Sequence, residues 1–301
     1  MPLIGILATA SPVANAARLR AFHEGLATTG YEQGKNVTIE YLWAEEDSGR
    51  MPEFATQLLD HKAAILVAAG GTSSALAAKA ATAETPIIFG IAGDPVALGL
   101  VASINRPGGN ATGVTSLNVE VAPKRLELLR EVLPSVTDIA LLVDPAVPTL
   151  AETTVRASQA FADVGGLRLH VLRASSEHDF GSVFEAMIKQ QVGALVIAPG
   201  NLFTAHSEQL AELTVRHALP AVYEFRRFVA AGGLLSYGSS ETEYYRLVGT
   251  YAGRILKGDK PADLPVQQST KVELMINLKT AKTLGLTIPL SLLGRADEVI
   301  E

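Results

Sequence analysis

Short apolar runs alternate along the chain with stretches in which apolar residues recur at helical spacing. Residues 3–7 form a strand-sized apolar run. Across residues 14–29, Leu19, Phe22 and Leu26 share one helical face, and Gly30 closes the helix as a C-cap. Residues 37–42 predict a second strand and 51–59 a second helix. A continuous buried strand follows over 65–69, and Gly70-Gly71-Thr72-Ser73-Ser74 opens a third helix running to residue 83. Residues 87–91 make a fourth strand. Strand and helix in alternation predict a parallel sheet with helices on both faces. The pattern then repeats, with helices over 123–132, 150–164, 182–190 and 207–217 leading to strands over 138–143, 168–173, 194–198 and 221–223. The two halves join near 112–118, just after a tight turn at Gly108-Gly109-Asn110.

The last third is irregular. It reads as a strand at 233–237, a helix at 243–256, a polar connector at 257–265, a strand at 272–277 and a helix at 278–284. Elements that follow two complete units predict that the chain crosses between them more than once. The expected fold is α/β, with two doubly wound Rossmann-like lobes, a multi-strand hinge and a cleft.

Composition agrees and narrows the function. At ~100–200 residues per domain, 301 residues make about two domains. Apolar residues at 48% and charged residues at 19% suit packed cores and not a disordered chain. A net charge of −6 argues against a nucleic-acid partner, which needs a basic stripe. The absence of Cys excludes disulfides, thiolate nucleophiles and Cys-ligated metal. No apolar run approaches the ~20 residues of a membrane helix. The first seven residues lack a basic region and read as a strand, not a signal peptide. A cytoplasmic chain and a mature exported form both fit that start.

Motifs of catalysis are missing. None of the six His has zinc-like spacing, and no Gly-x-Ser-x-Gly elbow or phosphate-binding Gly-rich loop occurs. The first strand runs into Ala8-Thr9-Ala10-Ser11-Pro12, so the dinucleotide fingerprint is absent. The sequence calls for no cofactor and no metal. What remains are polar loops at the carboxyl ends of strands, where open α/β sheets bind ligands. In the first half these carry Thr9 and Ser11, then Gly71, Thr72, Ser73 and Ser74 at a helix N-terminus suited to a carboxylate or phosphate, then Asp94, then Ser116. Helix capping is the plainer role for the same hydroxyls. In the second half they carry Asp144, Asn201, Glu224 and Tyr237; Glu224 sits between aromatics and suits an amine. Trp43 ends the second strand and fits packing or ligand contact equally.

Several segments together carry a family resemblance. They are Gly30-Tyr31-x-x-Gly34-x-Asn36-Val37, Gly93-Asp94-Pro95-Val96, and Arg106-Pro107-Gly108-Gly109-Asn110-Ala111-Thr112-Gly113-Val114. Ala231-Gly232-Gly233-Leu234-x-Ser236-Tyr237-Gly238, Ile255-Leu256-Lys257-Gly258 and Ile276-Asn277-Leu278-Lys279-Thr280-Ala281-Lys282 complete the set. From Ile4 to the C-terminus the chain resembles the ABC-transporter substrate-binding family that includes tryptophan- and tyrosine-type binding proteins. The resemblance implies a type I periplasmic-binding-protein fold with three crossovers and no catalysis. It implies residues 1–116 plus 237–269 as one lobe, 117–236 plus 270–301 as the other, and a ligand cleft between them. It also implies a periplasmic location, a monomer, and partnership with a permease and an ATPase. The expected ligand is a small carboxylate, a hydrophobic or aromatic amino acid, with the carboxylate on Thr72–Ser74, Asp94 in the Asp-Pro loop and Ser116 at a crossover. The second half departs from amino-acid-binding members by placing Gly200-Asn201 where an acid is expected. Glu224 or Asp144 then becomes the amine's partner, or the ligand is a carboxylate without an amine. A transferase with an interlobe active site is the alternative of another class.

Overall fold

The computed structural model describes residues 1–9, 16–44, 47–116 and 118–301. They fall into two compact units, Met1–Ser116 with Ser240–Thr270 and Leu117–Ser239 with Lys271–Glu301. In the first unit the strands are β1 (Leu3–Ala8), β2 (Thr38–Trp43), β3 (Ile65–Ala68), β4 (Ile87–Ile91) and β5 (Ala111–Thr115). Helices α1 (Ala16–Ala27), α2 (Met51–Asp60) and α3 (Thr72–Ala81) connect the first four. The second unit repeats the plan with β6 (Asp138–Val143), β7 (Arg168–Arg173), β8 (Ala194–Ile197), β9 (Ala221–Tyr223) and β10 (Leu235–Ser239). Its helices are α4 (Ala122–Val132), α5 (Pro148–Gly165), α6 (Phe180–Lys189), α7 (Asn201–Ala205), α8 (Ser207–Arg216) and α9 (Arg226–Ala230). The chain returns to the first unit for α10 (Glu241–Leu256) and β11 (Gln267–Gln268). It ends in the second with β12 (Val272–Asn277), α11 (Leu278–Thr283), α12 (Leu290–Leu293) and β13 (Glu298–Ile300).

Strand order is β11-β5-β4-β3-β1-β2 in one sheet and β13-β12-β10-β9-β8-β6-β7 in the other. Among the described residues β10 and β12 are the one antiparallel pair. In each unit the chain leaves the first strand in one direction and returns on its other side. The order therefore reverses between β1 and β3, and again between β6 and β8, which marks the ligand-binding position of such sheets.

Period-two alternation divides the first core. Ile4 and Ile6 pack with Phe22, Leu26 and Val248 on one face, while Leu7 and Leu66 pack with Phe54 and Ala75 on the other. Each fully buried large side chain contributes roughly 1.5–3 kcal/mol. Helix α10 reaches this core because glycines let it cross α1 closely. A Cβ on Gly249 would lie 2.0 Å from Phe22 O, and one on Gly25 would lie 1.9 Å from Arg246 O.

Two expectations change. Residues 112–115, expected as part of the junction, belong to the buried strand β5; Gly113 admits the β4 backbone, since its Cβ would sit 2.1 Å from Phe89 O. The second and third chain crossings follow Ser239 and Thr270, where the sequence placed them after residues 236 and 269. Strand β10 stays in the second sheet because it pairs with β12 from Leu235 to Ser239.

Candidate functional site

In the first unit, Thr9 follows β1 and Gly70-Gly71 follows β3, so both lie at the point of order reversal. They touch. A Cβ on Gly70 would stand 3.0 Å from Thr9 Cγ2 and 3.1 Å from Thr9 N. Gly71 then turns the chain into α3 with φ 81°, a conformation that favours glycine. As N-cap it offers no side-chain acceptor, and the first turn of α3 holds no acidic residue. Thr72 and Ser74 are buried, and Ser74 Oγ donates to Gly71 O at 2.8 Å. Ser73 Oγ is buried and makes no hydrogen bond among the described residues. Amide N–H groups, a positive helix end and an unused hydroxyl together favour an anion such as a carboxylate.

Helix α10 braces this loop from behind. Tyr245 Oη donates to Ala69 O at 2.7 Å. The Arg18 guanidinium lies 5.3 Å over the Tyr245 ring and pairs with Glu241. The remaining first-unit candidates are less central. Asp94 is exposed, and its Oδ1 accepts the N–H of Val96 at 2.8 Å, capping its own turn. Ser116 is buried, and its N–H donates to Ile91 O at 2.9 Å. Ser11 lies outside the described residues.

The second unit builds the same corner from other residues. Asp144 follows β6 and Gly200 follows β8, and a Cβ on Gly200 would lie 3.5 Å from Asp144 Cβ. Asp144 Oδ1 accepts the N–H of Ala146 at 2.8 Å, and burial raises the pKa of its carboxyl. Asn201 opens α7 beside it.

Glu224 lies next to that corner, in a buried network. Its Oε2 accepts from Asn118 Nδ2 at 3.0 Å. Its Oε1 lies 3.0 Å from Thr204 Oγ1, which is also 2.9 Å from Gly200 O. Asn118 Oδ1 accepts the N–H of Ser239 at 2.8 Å. Arg125, fully buried, donates from Nε to Tyr237 O at 2.7 Å and from Nη1 to Asn118 O at 2.9 Å. Burial pulls its pKa down to about 10 against the attraction of Glu224. Gly238 makes room, for a Cβ there would stand 2.1 Å from Glu224 O. Tyr237 thus enters through its carbonyl, while its ring packs on the second core.

Sequence reasoning passed over Asn118, Arg125 and Thr204. Arg125 carried a usable signal: it occupies the stripe Ala122, Arg125, Leu126, Leu129 and Val132, where a charge is out of place. Asn118 and Thr204 carried none, because their partners lie up to 121 residues away.

The sequence pattern of the ABC transporter substrate binding protein family matches residues 4–300. The chain belongs to this family. A curated tyrosine-binding protein of Clostridioides difficile (strain R20291) is 24% identical over 268 residues, covering 89% of this chain and 76% of that protein. A crystal structure of an ABC domain in complex with L-Trp from Streptococcus pneumonia is 28% identical, covers 99% of both chains and has a TM-score of 0.91. A conserved domain protein from Vibrio cholerae is 26% identical, with 99% of both chains covered and a TM-score of 0.91. The fold of this substrate-binding protein is the type I periplasmic-binding-protein fold. Its family consists of solute-binding proteins and not enzymes, so the transferase alternative falls. Members bind small ligands, work with ABC transporter components and are typically extracytoplasmic. Among the described residues no helix is long and apolar enough to cross a membrane.

Proposed function

We propose that this chain is the solute receptor of an ABC importer and takes a hydrophobic or aromatic amino acid by closure of its two lobes. One observation carries the reading: the α3 N-terminus at the β1/β3 reversal, with Thr9 against Gly70 and an unused buried Ser73 hydroxyl. It supplies donors and a positive dipole for the ligand's carboxylate. For the amine we assign Asp144. Its Oδ1 is taken by Ala146, and no hydrogen bond reaches Oδ2 among the described residues. Both oxygens of Glu224 already face donors of its own unit, so Glu224 serves the interior. The L-Trp held by the streptococcal structure and the name of the clostridial relative support the class of ligand. In this reading the protein works as a monomer on the periplasmic side, and its closed form is what a permease and its ATPase recognise. Closure follows from the ligand's greater affinity for the closed state.

Thermal unfolding against amino acids and plain carboxylates, each near millimolar, tests this. A ligand present at ~1,000 times its Kd adds ~4 kcal/mol and raises Tm by several degrees. The expected hits are L-tryptophan, L-tyrosine, L-phenylalanine or L-leucine, with Asp144→Asn abolishing most of the shift. Hits confined to carboxylates without an amine would overturn the assignment of Asp144 and the amino-acid class together.

A further inference from the structure

We propose that the second chain crossing, at Ser240, is the joint through which ligand engagement drives lobe closure, because a hydrogen-bonded relay in each unit ties that unit's ligand corner to one side of it. The proposal deepens the closure reading given above and rests on it. In the second unit the relay starts at Gly200, beside Asp144. Thr204 Oγ1 lies 2.9 Å from Gly200 O and 3.0 Å from Glu224 Oε1. Glu224 Oε2 accepts from Asn118 Nδ2, and Asn118 Oδ1 accepts the N–H of Ser239. Thr204, Glu224, Asn118 and Ser239 are all buried. In the first unit the relay starts at Ala69, the residue before Gly70. Tyr245 Oη donates to Ala69 O. Arg18 lies over the Tyr245 ring, and its Nε donates to Glu241 Oε1 at 2.7 Å. The two relays therefore end at Ser239 and Glu241, with Ser240 between them.

Both relays act where strand pairing stops. The β3–β4 ladder ends at Ala68 and the β9–β10 ladder at Ser236. Ala69 O and Ser239 N lie past those ends, and a side chain from another element holds each. A member of such a chain that shifts alone leaves buried polar partners unpaired, so the members move together. A shift at Gly200 when Asp144 meets an amine then passes to Ser239. A shift at Gly70 when the α3 N-terminus meets a carboxylate passes to Glu241. Ser240 leaves no slack between the two, for it is 1% exposed and runs straight into α10. The third crossing differs. There, exposed Thr270 and Lys271 separate Ser269, whose N–H donates to Thr115 O, from the ladder residue Val272. A hinge of this kind turns on a few residues that absorb the backbone rotation, and the relays reach the shorter joint.

The test measures binding and closure separately. Calorimetry with L-tryptophan, L-tyrosine, L-phenylalanine and L-leucine gives Kd. Small-angle X-ray scattering, without and with the tightest of the four at saturation, gives the radius of gyration. Tyr245→Phe keeps the ring beneath Arg18 and removes the bond to Ala69. Thr204→Val cuts the other relay, and Thr204→Ser keeps its hydroxyl. In the wild type we expect ligand to lower the radius of gyration. Tyr245→Phe and Thr204→Val should each lose about half or more of that fall and bind about three- to ten-fold more weakly, as one lost hydrogen bond of coupling predicts. Thr204→Ser should recover both. A merely structural role would lower Tm while the fall and the Kd stay as in wild type; that result in either variant overturns the proposal and leaves closure standing. Heat without any fall in the wild type overturns closure and this proposal together, and the amino-acid reading stands. No heat from any of the four removes the amino-acid reading and this proposal with it. Should Thr204→Val fail to fold, Tyr245→Phe decides.

Discussion

At the scale of single residues, the second unit shows how a carboxylate becomes structural. Glu224 is 4% exposed, and burying a charge is costly unless its oxygens are hydrogen-bonded. Asn118 donates to one oxygen and Thr204 stands at the other, with Arg125 nearby as the positive charge. Thr204 also ties the network to the corner, since the same hydroxyl lies against Gly200 O. Thr204→Val keeps the shape of the side chain and removes the donor. We expect it to destabilise the protein by about 1–3 kcal/mol, read as a lower urea midpoint at unchanged slope. An unchanged midpoint would mean that Glu224 is satisfied without Thr204. Little of this was legible in the sequence. In the sequence Glu224 stands between two aromatics at a strand end and suits an amine, while the partners that face it in the structure come from 20 and 106 residues away.

At the scale of elements, legibility followed apolar content. Strands β3, β6 and β8 are continuous runs such as Ile65-Leu-Val-Ala and stood out at once. Strand β5 reads Ala-Thr-Gly-Val-Thr and hid, although every one of its residues is buried. What buries it is a neighbour that only Gly113 can admit, and tertiary contact of that kind leaves no local period. Helix α10 makes the same point. Its helical pattern was readable over residues 243–256, but by intrinsic propensity alone Gly249 is a poor helix former, and only the structure shows it seating α10 on α1. The sign of one substitution separates the two views. On an exposed helix Gly→Ala stabilises by ~1 kcal/mol. Gly249→Ala should instead destabilise by about 1–3 kcal/mol, because its Cβ meets the backbone at Phe22 O and no rotamer can move aside. Guanidinium unfolding of this variant decides: a gain in stability would place α10 farther from α1 than described.

At the scale of the whole molecule, the chain's threading constrains how stability is shared. Each unit has its own sheet and its own packed cores, and each is completed by a segment that arrives after the chain has visited the other. Neither can be cut out as a continuous piece, yet each holds its own network of contacts. Two-state behaviour then need not extend over the full chain. Asn118→Ala removes bonds to Glu224 and Ser239, both within the second unit. In ligand-free protein it should lower the unfolding temperature of the second unit alone, so that calorimetry resolves two transitions where the wild type shows them closer together. A ligand gripped by both lobes stabilises only the state in which both are folded, by RT ln(1 + [L]/Kd). Saturating amino acid should therefore draw the two transitions of Asn118→Ala back toward one at a higher temperature. If ligand raises only one transition and leaves the other in place, a single unit holds it, and the closure mechanism proposed above is wrong even though the binding is real.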